Sequence, residues 1–351
     1  MRRFLARKAL FLIAVLGGLV LFIFILFVTL PSPEQVLSSQ RSDKATMEAI
    51  TKDLGLDKPK WQQFIWYIND LSPLSFYKKE SKKVELAGGV NLIKAGNTVV
   101  KIKWPYLRTS FRTKQAVSGM IVSAFAGTLV LAFSAIILAL LIGVPLGVLA
   151  ARRQNSWLDN TLVGISTIGI SMPSFFSAML IAWLFGFVWK QYTGLSMTGS
   201  LWEIDALGEG RSLAWKNLIL PTIALGIRPL AVFVQLTRNT MVDVLQMDYV
   251  RTARAKGLKE RSVIWKHAFP NAMNPLITSV GGWFSSLLAG AFFTEYIFNW
   301  KGLGKVTIEA LQQSDLPVIM GTVLFTACLF FVVNILTEIL YFWIDPRLRY
   351  E

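Results

Sequence analysis

The sequence predicts an all-α membrane protein: six spanning helices, with a polar extracytoplasmic insertion between the first and the second. Three observations predict it. Hydrophobic residues make up 54% of the 351-residue chain and charged residues only 16%, too apolar a balance for an ordinary soluble domain. The apolar residues come in blocks close to the ~20 residues that cross a bilayer. The short segments between alternate blocks carry arginine and lysine, which marks them as cytoplasmic.

Composition also excludes. Cys328 is the single cysteine, so the chain forms no internal disulfide, and His267 is the single histidine, so no histidine cluster holds a metal. A net charge of +15 would point to nucleic acid in a soluble protein. Here the basic residues flank spans and fill the polar insertion, so nucleic acid is not an expected partner.

The elements follow in order. Arg2, Arg3, Arg7 and Lys8 precede an uncharged run over 9–30. That run is long for a signal peptide and lacks a small-x-small cleavage site, so residues 1–30 read as a cytoplasmic N-terminus and a retained anchor. Residues 31–115 form the insertion. They include Lys78, Lys79, Lys82 and Lys83, but loops longer than about 60 residues translocate despite their charge. Residues 61–67 predict an amphipathic outer helix, and the Gly and Asn turn signals within 84–104 a small β-ribbon. Residues 116–351 form a five-helix core. Its second span covers 116–151 and ends at Arg152 and Arg153. A third, over 161–189, is kinked at Pro173. An outer loop with Trp202, Glu203 and Asp205 leads to a fourth span over 217–237, with Arg228 near its middle. A cytoplasmic loop over 239–271 follows. The fifth span, 272–294, carries Gly282, Ser286 and Gly290 as a strip for close helix packing. The sixth covers 316–342, and the basic end 345–349 returns the C-terminus to the cytoplasm.

Few residues invite chemistry, and none is expected to be catalytic. Gly302-Leu303-Gly304-Lys305 superficially suggests a phosphate loop, but Asn299 stands at the required first glycine and Val306 replaces Ser/Thr. The chain therefore has no cradle for ATP. An arginine at mid-bilayer costs about 2.5–3.5 kcal/mol on translocon scales. Arg228 thus either lines a path or is paired internally, with Glu295 or Glu338 as partners. Met172, Phe175, Trp283 and Phe284 are candidate contacts for a passing substrate; packing is the bland alternative.

The cytoplasmic loop is the most informative stretch. Val250, Ala253 and Gly257 fall on one face of a predicted short helix, a small face that another backbone can approach. Lys256 suits the negative end of that helix and Gly257 its terminus; Pro270 suits the first turn of the next helix. The expected docking surface comprises Val250, Arg251, Thr252, Ala253, Arg254, Ala255, Lys256, Gly257, Leu258 and Pro270. An ordinary cationic loop on anionic lipid is the alternative.

This loop resembles the EAA loop of ABC-transporter permeases. Ala253, Gly257 and Pro270 hold the spacings of that family, while Arg251, Thr252 and His267 depart from its general pattern. The version here is similar to the oligopeptide/dipeptide/nickel branch. The likeness continues through Leu236-Thr237-Arg238, Asn299-Trp300-Lys301-Gly302-Leu303-Gly304 and Asp345-Pro346-Arg347. It implies the six-helix type I (MetI-like) permease bundle, in a bacterial inner membrane, with both termini cytoplasmic. It also implies partners: a second homologous permease, two ATPase subunits that bind the ATP and Mg, an extracytoplasmic substrate-binding protein, and the lipid bilayer. Peptides are the implied cargo, with nickel chelates in the same branch. A secondary transporter or channel using Arg228, Glu295 and Glu338 as intramembrane charges is the competing class; it would need no ATPase.

Overall fold

A computed structural model of the chain describes residues 2–29, 58–78, 88–95, 97–204 and 210–344. Lys79, Lys82, Lys83, Asp205, the start of the expected ribbon and the basic end 345–349 lie outside those residues. The chain divides into two compact units: Met1–Ser123 with Val306–Phe325, and Ala124–Lys305 with Thr326–Glu351.

The first unit holds α1 (Arg2–Thr29), α2 (Lys60–Leu71) and a three-stranded antiparallel sheet. Its strands β1 (Leu74–Lys78), β2 (Val90–Ala95) and β3 (Thr98–Ile102) lie in the order β1-β3-β2. The expected ribbon is the β2–β3 pair. A third strand joins it from upstream, where Leu74–Tyr77 alternates in burial as β3 does. The helix expected over 61–67 is α2. Its Phe64, Tyr67 and Leu71 pack with Val20, Ile23 and Phe24 of α1 and with Met320, Val323 and Leu324, so the insertion is tied to apolar helix rather than only resting on an outer surface.

The sheet is inverted. In register, Leu74 and Val90 flank Ile102, and Phe76 and Ile93 flank Val100. Five of these six are among the exposed large hydrophobics of the chain. The opposite face buries Ser75, Tyr77, Val99 and Lys101. Beneath that face Asp70 is buried and accepts from Tyr77 Oη at 3.2 Å and Arg108 Nε at 3.1 Å; Lys103 Nζ donates to its main-chain carbonyl. Burial without partners would cost these charges several kcal/mol, so they gather around one carboxylate.

The second unit contains most of the spans. Helix α3 (Val117–Arg152) enters it at Ala124. It is followed by α4 (Trp157–Ser171), α5 (Ser174–Trp183), a short ribbon of β4 (Trp202–Ile204) and β5 (Arg211–Leu213), and α6 (Lys216–Leu245). Then come α7 (Asp248–Ala255), α8 (Asn274–Gly290), α9 (Phe292–Ile297), α10 (Leu303–Gln312) and α11 (Leu316–Ile344), the last two shared between units. Leu131, Ala135, Ala139, Phe233, Leu276, Leu288 and Trp300 are buried together at its centre.

Three described helices are long and apolar enough to cross a membrane: α3, α6 and α11. The expected third span is not a kinked rod. Helices α4 and α5 meet at 105°, because Met172 and Pro173 both adopt extended backbone (ψ 130° and 136°) and proline disfavours helix in the residue before it. The expected fifth span also breaks, at Ala291 between α8 and α9. The fourth runs past its expected end at 237, through Arg238 to Leu245, so the start of the expected cytoplasmic loop is helix.

Candidate functional site

Helix α7 begins at Asp248, whose carboxylate favours the positive helix end, and ends at Ala255, with Lys256 and Gly257 turning the chain out of it. Gly257 has φ +77°, a left-handed conformation that glycine adopts without strain. Its N–H donates to Arg254 O at 2.9 Å, and Leu258 N–H reaches back to Ala253 O, which satisfies the terminal carbonyls. The chain re-enters through a π-helical turn, Val263–Ala268, and Phe269–Ala272, where Pro270 takes a first-turn position.

The small face expected to meet a partner turns inward instead. Val250 and Ala253 are buried with Val148, Ala151, Met241, Val263, Ile264 and Ala268. Small side chains let α7 lie close on its own spans, so they are used within the chain. Exposed in their place are Tyr249, Arg251, Thr252, Arg254, Ala255, Lys256, Gly257 and Leu258, together with Lys259, Trp265, Lys266 and Pro270. Asn271 Nδ2 donates to Tyr249 Oη at 2.8 Å, and Arg254 pairs with Glu260 at 3.0 Å across the glycine turn. The result is a cationic knob between two spans, packed on its own chain through Val250 and Ala253.

The intramembrane charges separate. Glu295 is fully buried and accepts from Thr128 Oγ1 at 2.6 Å and from the main-chain N–H of Gly304 at 2.7 Å and Lys305 at 3.3 Å. It caps the start of α10 from a distance and is not the partner of Arg228. Arg228 is half-buried on α6 beside Pro229, and its Nε is enclosed with no hydrogen-bond partner. Glu338 lies half-buried on α11. The relay of three charges needed by a proton-driven or channel mechanism is therefore not assembled around Glu295.

The aromatic candidates divide likewise. Trp283 and Phe284 are half-buried and pack against the central core, the bland alternative to lining a path. Phe175 is exposed just after the bend, its ring 6.1 Å from that of Phe293, and Met172 is half-buried at the bend itself. One pair escaped sequence reasoning. Arg238 grips the buried Asp159 with Nε at 3.0 Å and Nη2 at 2.7 Å, joining α6 to the first turn of α4. A lone aspartate just inside an apolar run, opposite an arginine ending another, was the available signal.

Residues 143–350 match the family described as binding-protein-dependent transport system inner membrane component, and residues 1–132 match its N-terminal companion. The dipeptide transport system permease protein DppB of Escherichia coli (strain K12) is 35% identical over 370 residues, covering 100% of both chains. The protein of the same name from Alkalihalophilus pseudofirmus is 34% identical over 359 residues, with 98% of each covered. The glutathione transport system permease protein GsiC of Escherichia coli (strain K12) is 30% identical over the full length of both. Among solved structures, an inward-facing MetNI methionine ABC transporter matches with a TM-score of 0.51 at 14% identity, over 65% of this chain and 97% of that one.

Proposed function

The chain belongs to the family of binding-protein-dependent transport system inner membrane components, and from that membership we propose that it is the peptide-carrying permease subunit of an ATP-driven importer. It forms one half of the path; a related permease forms the other. Two cytoplasmic ATPases bind ATP and Mg and receive the α7 knob, while a binding protein delivers cargo from outside. The chain performs no covalent chemistry, and both its termini lie in the cytoplasm. Di- and oligopeptides are the favoured cargo, since relatives named for dipeptide transport align end to end with it.

The observation that carries the coupling role is the glycine-capped α7, anchored inward by Val250 and Ala253 and cationic outward. A stiff element between two spans transmits force; a loose loop would not. Gly257→Asp places a side chain where φ is +77° and adds negative charge to the cationic surface. Since no atom lies within 4 Å of a Cβ there, the membrane bundle should fold. ATPase co-purification should weaken, or hydrolysis in reconstituted vesicles should run without peptide uptake. Wild-type values for association, hydrolysis and uptake would remove α7 as the docking element.

A further inference from the structure

Helices α4 and α6 pack side by side, and their shared outer edge is polar where lipid would demand apolar residues. On α6, Arg228, Gln235 and Asn239 follow at intervals of seven and four and share one face. On α4, Asn160, Gly164, Thr167 and Ser171 follow at four, three and four, and all are exposed. Gln235 Nε2 donates to Thr167 Oγ1 at 3.1 Å, and the Arg238–Asp159 pair lies further toward the start of α4. This antiparallel register brings Arg228 level with the end of α4 at the bend. Between the helices lies a cavity of about 350 Å³ lined by Asn160, Val163, Gly164, Gln235, Arg238 and Asn239. A carboxamide turned to hydrocarbon costs several kcal/mol, so this edge faces water or cargo.

The chemistry of the edge is specific. A carboxamide offers a donor and an acceptor together, the complement of a peptide bond. The hydroxyls of Thr167 and Ser171 donate to their own helix carbonyls at 2.8 Å, which leaves their oxygens as acceptors. Such a surface grips main chain and ignores side chains. Arg228, half-buried on α6, adds a guanidinium, suited to a carboxylate. We propose that the α4–α6 seam is the cargo track, in which Asn160, Gln235 and Asn239 bind the amides of a passing peptide and Arg228 its terminal carboxylate. The assignment rests on the peptide-permease reading and adds to it a recognition site that is independent of peptide sequence.

The test uses the whole complex in vesicles, with its binding protein, ATP and tri-alanine as probe. Gly164→Cys is introduced in a Cys328→Ala background; a Cβ at Gly164 meets no atom within 4 Å, so folding should be unaffected. An impermeant thiol reagent should reach Gly164→Cys from water, saturating tri-alanine should protect it, and the adduct should block uptake. Gln235→Leu and Asn239→Leu should each raise KM about two- to tenfold, the loss of one hydrogen bond, with ATP hydrolysis and maximal rate near wild type. The analogue with ester bonds in place of amides should bind the wild type less well and the variants no worse. Uptake of tri-alanine with Gly164→Cys unreactive, or equally reactive with and without peptide, would overturn the seam and leave the permease reading standing. Absence of tri-alanine uptake by the unmodified complex would overturn both.

Discussion

Glu295 shows how little of a buried site one residue letter contains. Its partners are a threonine 167 positions away and two main-chain N–H groups, and amides carry no sequence signal. The clue lay in Gly302 and Gly304: a Cβ on Gly302 would sit 2.3 Å from the Glu295 carboxyl carbon, and one on Gly304 2.4 Å from Phe292 Cα. Gly302→Ala should therefore cost about 1–3 kcal/mol by overpacking, read as a lowered melting midpoint in detergent. Gly282→Ala, with no atom within 4 Å, should leave the midpoint unchanged. Arg228, by contrast, was legible at once, because a lone cation in an apolar run needs a reason. Its Nε has no hydrogen-bond partner, which argues against a structural pair. Arg228→Leu should accordingly express and melt like wild type while peptide uptake falls severalfold; a protein that expresses poorly would restore the structural reading.

At the scale of elements, period and punctuation read well where packing was local, and failed where distant residues decided. The α7 cap was visible in Lys256-Gly257. The inward turn of its small face was not, since that depends on Val148, Met241 and Ile264 from other elements of the chain. The α2–sheet element is stranger still: β3 alternates as a strand should, yet its apolar face points out. Burial pushes the Tyr67 phenol up from 10.0 to about 12 and raises Tyr77 and Tyr106 as well. The folded state then holds these protons more tightly than the unfolded chain does. Their stabilisation is complete below about pH 10 and drains away as pH rises through about 12. Burial lowers Lys103, which acts in the opposite direction, one group against three. Tyrosinate absorbance and circular dichroism should thus report a joint alkaline transition, and Tyr67→Phe should make it shallower. On α4, Asp159→Ala would leave Arg238 without its buried carboxylate. A cost of about 3 kcal/mol is expected, the low end for a broken pair because the Arg238 side chain is 21% exposed; urea or thermal unfolding measures it.

For the whole molecule, hydropathy placed the starts of the spans expected at 116, 217 and 316 within one residue of the starts of α3, α6 and α11, and Arg/Lys placement predicts their orientation. Asn97→Cys, exposed between β2 and β3, should react with an impermeant reagent added outside the cell; labelling from the cytoplasmic side alone would end the six-span topology. What hydropathy could not show was the right-angled turn at Met172–Pro173, because an apolar run looks the same whether straight or folded. That turn bears on parity. Arg152 and Arg153 precede the bent pair, and the basic α7 loop follows both it and α6. Two crossings between them put both clusters on one side; a single crossing would strand one of them outside, against the charge rule. On that rule the bent pair crosses. Yet α4, at 15 residues, spans only about 22 Å at 1.5 Å per residue, short of the ~30 Å hydrocarbon core, and α5 is shorter still. Neither half makes the passage alone. Deleting residues 174–188 should turn an even count odd and present the α7 loop to the wrong side of the membrane, abolishing the ATPase docking proposed for it though no residue of that loop has changed.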